Sequence, residues 1–150
     1  MNILFVSSQQ FFAEPIGILQ LSAICKQLGH QTRLFVITRS TLVQDLEEFR
    51  PDVIGYGTMS ANAGLFLEAD RVVQRYIDCW DMRIYRIMGG PHPTYFPEVF
   101  TQMSLDAIVQ EGDDYALPKL LQRIQEGIDL SGIPSAFIKN LRDPIPHDPQ

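Results

Sequence analysis

The feature that most constrains this chain is a rhythm. A short, continuously apolar run is followed by a segment of helical periodicity, five times in succession. The apolar runs are Asn2 to Ser7, Thr32 to Thr38, Asp52 to Thr58, Arg83 to Met88 and Ala107 to Val109. In Ile16 to Leu28, the residues Ile18, Leu21, Ile24, Cys25 and Leu28 recur at helical spacing, and Gly29 stands where a C-cap belongs. Thr41 to Phe49, Asn62 to Ile77, Pro97 to Met103 and Tyr115 to Glu126 read as the other helices, the first of them closed by Pro51. Strands that are apolar throughout, rather than alternating, are buried on both faces. The expected architecture is therefore an α/β three-layer fold with a five-stranded parallel sheet. Ser135 to Lys139 is expected to add a short edge strand.

At 150 residues this is one domain's worth of chain. The formal net charge of −6 and the lack of any Lys/Arg-rich run argue against nucleic acid as a partner. No apolar run approaches the length of a membrane span. Met1 to Val6 has neither the basic leader nor the small-residue cleavage site of a signal peptide. Cys25 and Cys79 form no CxxC pair and read as small apolar residues on helices, which points to the reducing cytoplasm. Residues 141–150 carry Pro144, Pro146 and Pro149 without periodicity. That reads as a linker after a domain at 1–140, with a further domain expected beyond it.

In a parallel sheet of this kind ligands bind outside the carboxyl ends of the strands. The loop after the first strand, Ser7 to Pro15, contains no glycine, so the GxGxxG dinucleotide fingerprint is missing; so is a Walker sequence. The third strand runs into Thr58-Met59-Ser60 and offers no phosphoacceptor Asp, which excludes a receiver domain. What remains is Gly55-Tyr56-Gly57-Thr58-Met59-Ser60-Ala61-Asn62 beside Met88-Gly89-Gly90-Pro91-His92-Pro93-Thr94, with Glu111-Gly112-Asp113 nearby. Small residues at adjacent strand ends let backbone approach a bulky planar ligand. The hydroxyls of Thr58, Ser60 and Thr94 suit amides or a phosphate.

These segments carry a family resemblance. With Pro15-Ile16-Gly17-Ile18, Leu28-Gly29-His30, Arg50-Pro51-Asp52-Val53-Ile54-Gly55 and Asp106-Ala107-Ile108-Val109-Gln110-Glu111-Gly112, roughly residues 1–140 resemble the N-terminal cobalamin (B12)-binding domain of cobalamin-dependent radical S-adenosylmethionine enzymes. The resemblance implies a flavodoxin-like, Rossmann-type sheet of order 2-1-3-4-5 with the corrin over its carboxyl ends. By the same resemblance, Thr58, Met59, Ser60, Ala61, Asn62, Gly89 and Gly90 line the nucleotide tail and the lower corrin face. His92, Thr94, Glu111 and Gly112 close the rim around the propionamides. Related domains place DxHxxG after the first strand, and its His ligates cobalt; here that loop holds no His. Cobalamin is then expected base-off and His-off, with Met59 or Asn62 as candidates for the lower face and no protein metal ligand.

The family's radical chemistry needs CxxxCxxC for a [4Fe–4S] cluster, which two separated cysteines cannot provide. S-adenosylmethionine and the cluster are therefore expected in a radical SAM catalytic domain, in cis or in trans. The implied role is to carry methyl from S-adenosylmethionine to a substrate radical, with no catalytic residue in this chain. The alternatives are a degenerate docking domain that binds no corrin, and a flavodoxin-like domain for another ligand such as a flavin. His92 reads equally as a corrin contact or as a turn residue packed on Tyr95 or Phe96. His30 reads as a surface or capping residue, and Arg86 as paired with a carboxylate at the sheet's edge. Glu111, Asp113 and Asp114 read as caps for the following helix, and Tyr95-Phe96 as an apolar patch facing another domain.

Overall fold

The computed structural model describes residues 1–8, 15–37, 41–110 and 114–138. In chain order the elements are β1 (Asn2–Ser7), α1 (Ile16–Gln27), β2 (Gln31–Val36), α2 (Leu42–Phe49), β3 (Val53–Gly57) and α3 (Ala63–Trp80). There follow β4 (Tyr85–Gly89), α4 (Pro91–Tyr95), α5 (Val99–Gln102), β5 (Ala107–Val109), α6 (Ala116–Glu126) and β6 (Ala136–Ile138). The sheet order is β2-β1-β3-β4-β5-β6. The first five strands run parallel, in the expected order. The expected edge strand is present as β6, and it is antiparallel to β5. The segment 139–150, and with it the expected linker, lies outside the described residues.

Alternation along each strand divides the core in two. Leu4, Val6, Ile54, Tyr56, Met88 and Ile108 face α2, α3 and α5. Ile3, Phe5, Val53, Ile87 and Ala107 face α1 and α6. All are buried, which is why the strands read as unbroken apolar runs. α1 ends as its sequence suggests: Gly29 takes φ +86°, and the amides of Leu28 and His30 donate to the carbonyls of Ile24 and Cys25.

Four details differ from the expectations. The stretch after β4 folds at once into the short α4, because Pro91 supplies a preset φ at its first turn; the helix expected over Pro97 to Met103 shrinks to α5. Cys79 is exposed, because it sits on the outer side of the last turn of α3, whereas Cys25, on the inner face of α1, is fully buried. His30 is buried, 9% exposed, because the chain turns inward there to start β2; its Nδ1 lies 3.4 Å from the Met1 amine.

Arg86 has its expected carboxylate partner, but inside the sheet, on β4, rather than at an edge. Its partner is Asp70 of α3, at 3.3 Å, and both side chains are more than nine-tenths buried. The Tyr56 hydroxyl donates to Asp70 Oδ1 at 3.1 Å and the Ser104 amide to Oδ2 at 2.8 Å. Burial first, and the Asp70 charge second, push the Tyr56 phenol well above its ordinary pKa.

Candidate functional site

β3 and β4 end side by side, with Gly57 opposite Gly89 in the ladder. Beyond them the two chains lock together. The Thr58 amide donates to the Gly89 carbonyl at 3.1 Å, and the His92 amide donates to the Thr58 carbonyl at 3.4 Å. Gly90 makes this crossing possible. Its φ of +104° and ψ of −176° belong to a region that only glycine adopts readily, and a Cβ there would stand 2.6 Å from the Thr58 carbonyl oxygen.

The turn after β3, a single 3-10 turn over Ser60–Asn62, is tied down by polar contacts. The Met59 amide donates to Asn62 Oδ1 at 3.3 Å, and Asn62 Nδ2 donates to the Ser8 hydroxyl beyond β1. His92 Nδ1 is 3.1 Å from the Ser60 hydroxyl, and its ring stacks on Phe96 with centroids 5.3 Å apart. Thus His92 packs on Phe96, one of the two aromatic neighbours anticipated from the sequence. Tyr95 and Phe96 are exposed, 72% and 45%.

Directly behind this rim, between the sheet and the α1/α6 layer, lies a cleft of about 350 Å³. That is within the ~300–1,000 Å³ typical of small-molecule sites. Its floor is Phe5, Gly55 and Ile87, adjacent in register across β1, β3 and β4. Ile18 and Leu21 of α1 and Leu117 of α6 cover it. The space exists because the sheet's carboxyl end carries glycines on this face. Side chains at Gly55 and Gly57 would meet Phe5 at 3.0 Å and Ile18 at 2.7 Å. A Cβ on Gly89 would meet only the Val109 carbonyl, at 3.7 Å, and so stands clear on the cleft wall.

Of the residues singled out from the sequence, Thr58, Met59, Gly89 and Gly90 line this cleft. Ser60, Asn62 and His92 form the fastened turn beside it, Ala61 is exposed, and Glu111 and Gly112 lie outside the described residues. The Thr58 and Thr94 hydroxyls are engaged locally, donating to the carbonyls of Met59 at 3.3 Å and Gly90 at 2.9 Å. Asp114 accepts from Gln20 Nε2 at 2.6 Å rather than capping α6, and so joins that helix's entry to α1. Glu111 and Asp113, expected as caps beside it, also fall outside the described residues. The sequence reading missed the cleft's apolar walls, Phe5, Ile18, Leu21, Ile87 and Leu117. Their one signal is strand alternation, which places Phe5, Gly55, Gly57, Ile87 and Gly89 on a single face.

Among the described residues no group of three or more His, Cys, Asp or Glu side chains is placed to hold a metal ion. No helix there is long and apolar enough to cross a membrane.

Known proteins resemble this chain in sequence and in fold. Residues 4–121 match the family model of the B12 binding domain. An uncharacterized methyltransferase of Pyrococcus horikoshii is 23% identical over 126 residues, covering 79% of this chain and 26% of its own length. The cobalamin-dependent S-adenosylmethionine radical enzyme OxsB, solved with aqua-cobalamin and S-adenosylmethionine bound, superposes with a TM-score of 0.76 at 18% identity. That match covers 90% of this chain and 20% of OxsB. A cobalamin-binding protein from Desulfitobacterium hafniense superposes with a TM-score of 0.55 at 15% identity, over 81% of this chain and 57% of that one. The chain thus spans about a quarter or less of the methyltransferase and of OxsB.

Proposed function

The chain belongs to the B12-binding domain family, and from that premise we propose that it holds cobalamin over the carboxyl end of its sheet, with the nucleotide tail in the cleft behind Gly57 and Gly89. The observation that carries this reading is the cleft itself: apolar, walled by glycine, and opening directly below the rim formed by Thr58 to Asn62 and Gly90 to Thr94. A flat aromatic base needs a slot between sheet and helix, and a side chain at Gly89 would intrude on it. Met59, 45% exposed at the strand end, offers a soft apolar contact to the underside of the corrin. Ser60 and His92 present a hydroxyl and an imidazole to the rim amides.

The same reading holds cobalamin base-off and without a histidine on cobalt. A tail base lodged in the cleft is withdrawn from the metal, and the loop from Ser7 to Pro15 contains no His. His92, the one imidazole at this end among the described residues, is occupied by Ser60 and Phe96. When bound, cobalamin supplies a reducible cobalt able to carry a methyl group; the protein's part is to orient it and leave its lower face without a nitrogen ligand. The partner in this reading is a radical SAM domain, in cis or in trans, with methylation of a substrate radical as the reaction. The exposed Tyr95-Phe96 pair suits contact with that domain. The compartment is the cytoplasm.

The test is retention. The protein is mixed with hydroxocobalamin, passed through a desalting column, and its visible spectrum recorded. A red-to-orange protein with a base-off spectrum is expected. A colourless protein would favour the docking role, and a yellow one as purified would favour a flavin.

A further inference from the structure

We infer that Asn62 is a positioning residue for Met59, holding that side chain at a fixed height under the corrin without itself reaching cobalt. This rests on the reading above, in which Met59 touches the lower corrin face.

The turn that carries Met59 is short and weak on its own. Ser60–Asn62 is a single 3-10 turn, a form whose hydrogen-bond geometry is poorer than that of an α-helix. Methionine adds a flexible, unbranched side chain. Asn62 removes much of this freedom by gripping the Met59 peptide from both sides. Its Oδ1 accepts from the Met59 amide at 3.3 Å, and its own amide donates to the Met59 carbonyl at 3.2 Å. The Thr58 hydroxyl also donates to that carbonyl, at 3.3 Å. Of these groups Asn62 alone reaches the neighbouring strand: its Nδ2 donates to the hydroxyl of Ser8, buried just beyond β1. β1 and β3 are adjacent, with Val6 opposite Tyr56, so the turn is fastened to two strands rather than one. Each heteroatom of the Asn62 side chain thus has a partner within the protein, and the residue is half-buried. Met59 is the more exposed of the two and lines the cleft. A side chain that must meet a ligand at a set height needs support of this kind.

The experiment puts carbon-13 in the methionine methyl groups and binds cob(II)alamin to an excess of the protein, with co-elution checked on a desalting column. Pulsed electron–nuclear double resonance then reads the coupling between the cobalt electron and the methyl carbon. That coupling falls with the cube of distance, so it reports where the methyl lies. A resolved coupling is expected in the wild type, and its loss in Met59→Leu assigns it among the five methionines. Asn62→Ala should lower it by at least half, and so should Asn62→Gln, whose amide reaches one methylene too far. Asn62→Asp should restore it, since the carboxylate accepts from the Met59 amide and the Ser8 hydroxyl turns to donate. Wild-type coupling in Asn62→Ala or Asn62→Gln overturns the inference, as does Asn62→Asp behaving like Asn62→Ala. Bound cobalamin without any coupling to Met59 also overturns it, and leaves corrinoid binding intact. Cobalamin that does not co-elute with the wild type overturns the functional reading, and this inference with it. The glutamine variant keeps the comparison if the alanine variant fails to fold.

Discussion

Two adjacent glycines should respond to the same substitution in opposite ways. At Gly90, alanine must adopt φ +104°, ψ −176°, and its Cβ would lie 2.6 Å from the Thr58 carbonyl oxygen and 3.2 Å from the Thr58 nitrogen. Those atoms are backbone, so nothing flexible can swing aside. The strained backbone costs about 1–3 kcal/mol, and the overpacking adds a further ~1–3 kcal/mol. A loss of about 3 kcal/mol or more is expected for Gly90→Ala, which for a domain of this size is a Tm lower by roughly 6–12 °C. At Gly89 the backbone is not left-handed and the new methyl meets only the Val109 carbonyl, at 3.7 Å. Gly89→Ala should therefore stay within about 1 kcal/mol of the wild type. Its methyl projects into the cleft, so cobalamin should bind several-fold more weakly. Urea unfolding and a cobalamin titration on both variants read the two effects separately. A Gly90→Ala protein as stable as the wild type would refute the crossing geometry, and unchanged affinity in Gly89→Ala would refute the tail's position.

Asp70→Ala should cost about 3–5 kcal/mol, because it strands the buried Arg86 guanidinium, whose Nε has no partner among the described residues. The double variant Asp70→Leu/Arg86→Met, checked in the same urea titration, should recover much of that loss. Burial first, and the Met1 amine second, lower the His30 pKa, so the folded state disfavours its charged form. Stability from this source is complete above the unfolded value of about 6.5 and falls as pH drops below it. The Tm lost between about pH 7.5 and 5.5 should be smaller in His30→Gln. Native protein should react with a thiol reagent promptly at exposed Cys79 alone. Cys25 is fully buried, its thiol pushed up to about 11 by burial, and should react only in denaturant.

The sheet was legible because its signal is redundant. Each buried strand is a continuous apolar run, and each helix has its own period and stop, such as Gly29 and Pro51. Short elements were less so: α4 is only Pro91–Tyr95, too brief for periodicity, and Pro91 alone hinted at a helix start. The Asp70–Arg86 pair lay hidden because 16 residues separate the partners, and only the packing of α3 on β4 brings them together. At the site, the glycines and Met59 announced themselves as breaks in apolar strands. The cleft's walls did not, since Phe5, Ile87 and Leu117 look like any core residue until the missing side chains at Gly55, Gly57 and Gly89 open a space between them.

The most direct measurement is the electron paramagnetic resonance spectrum of cob(II)alamin carried through a desalting column on this protein. The unpaired electron points along the axis of the lower ligand, so a nitrogen there splits each cobalt line into a triplet. The account predicts cobalt that co-elutes with the protein and gives lines without nitrogen splitting. Triplets, or no cobalt with the protein at all, would contradict it.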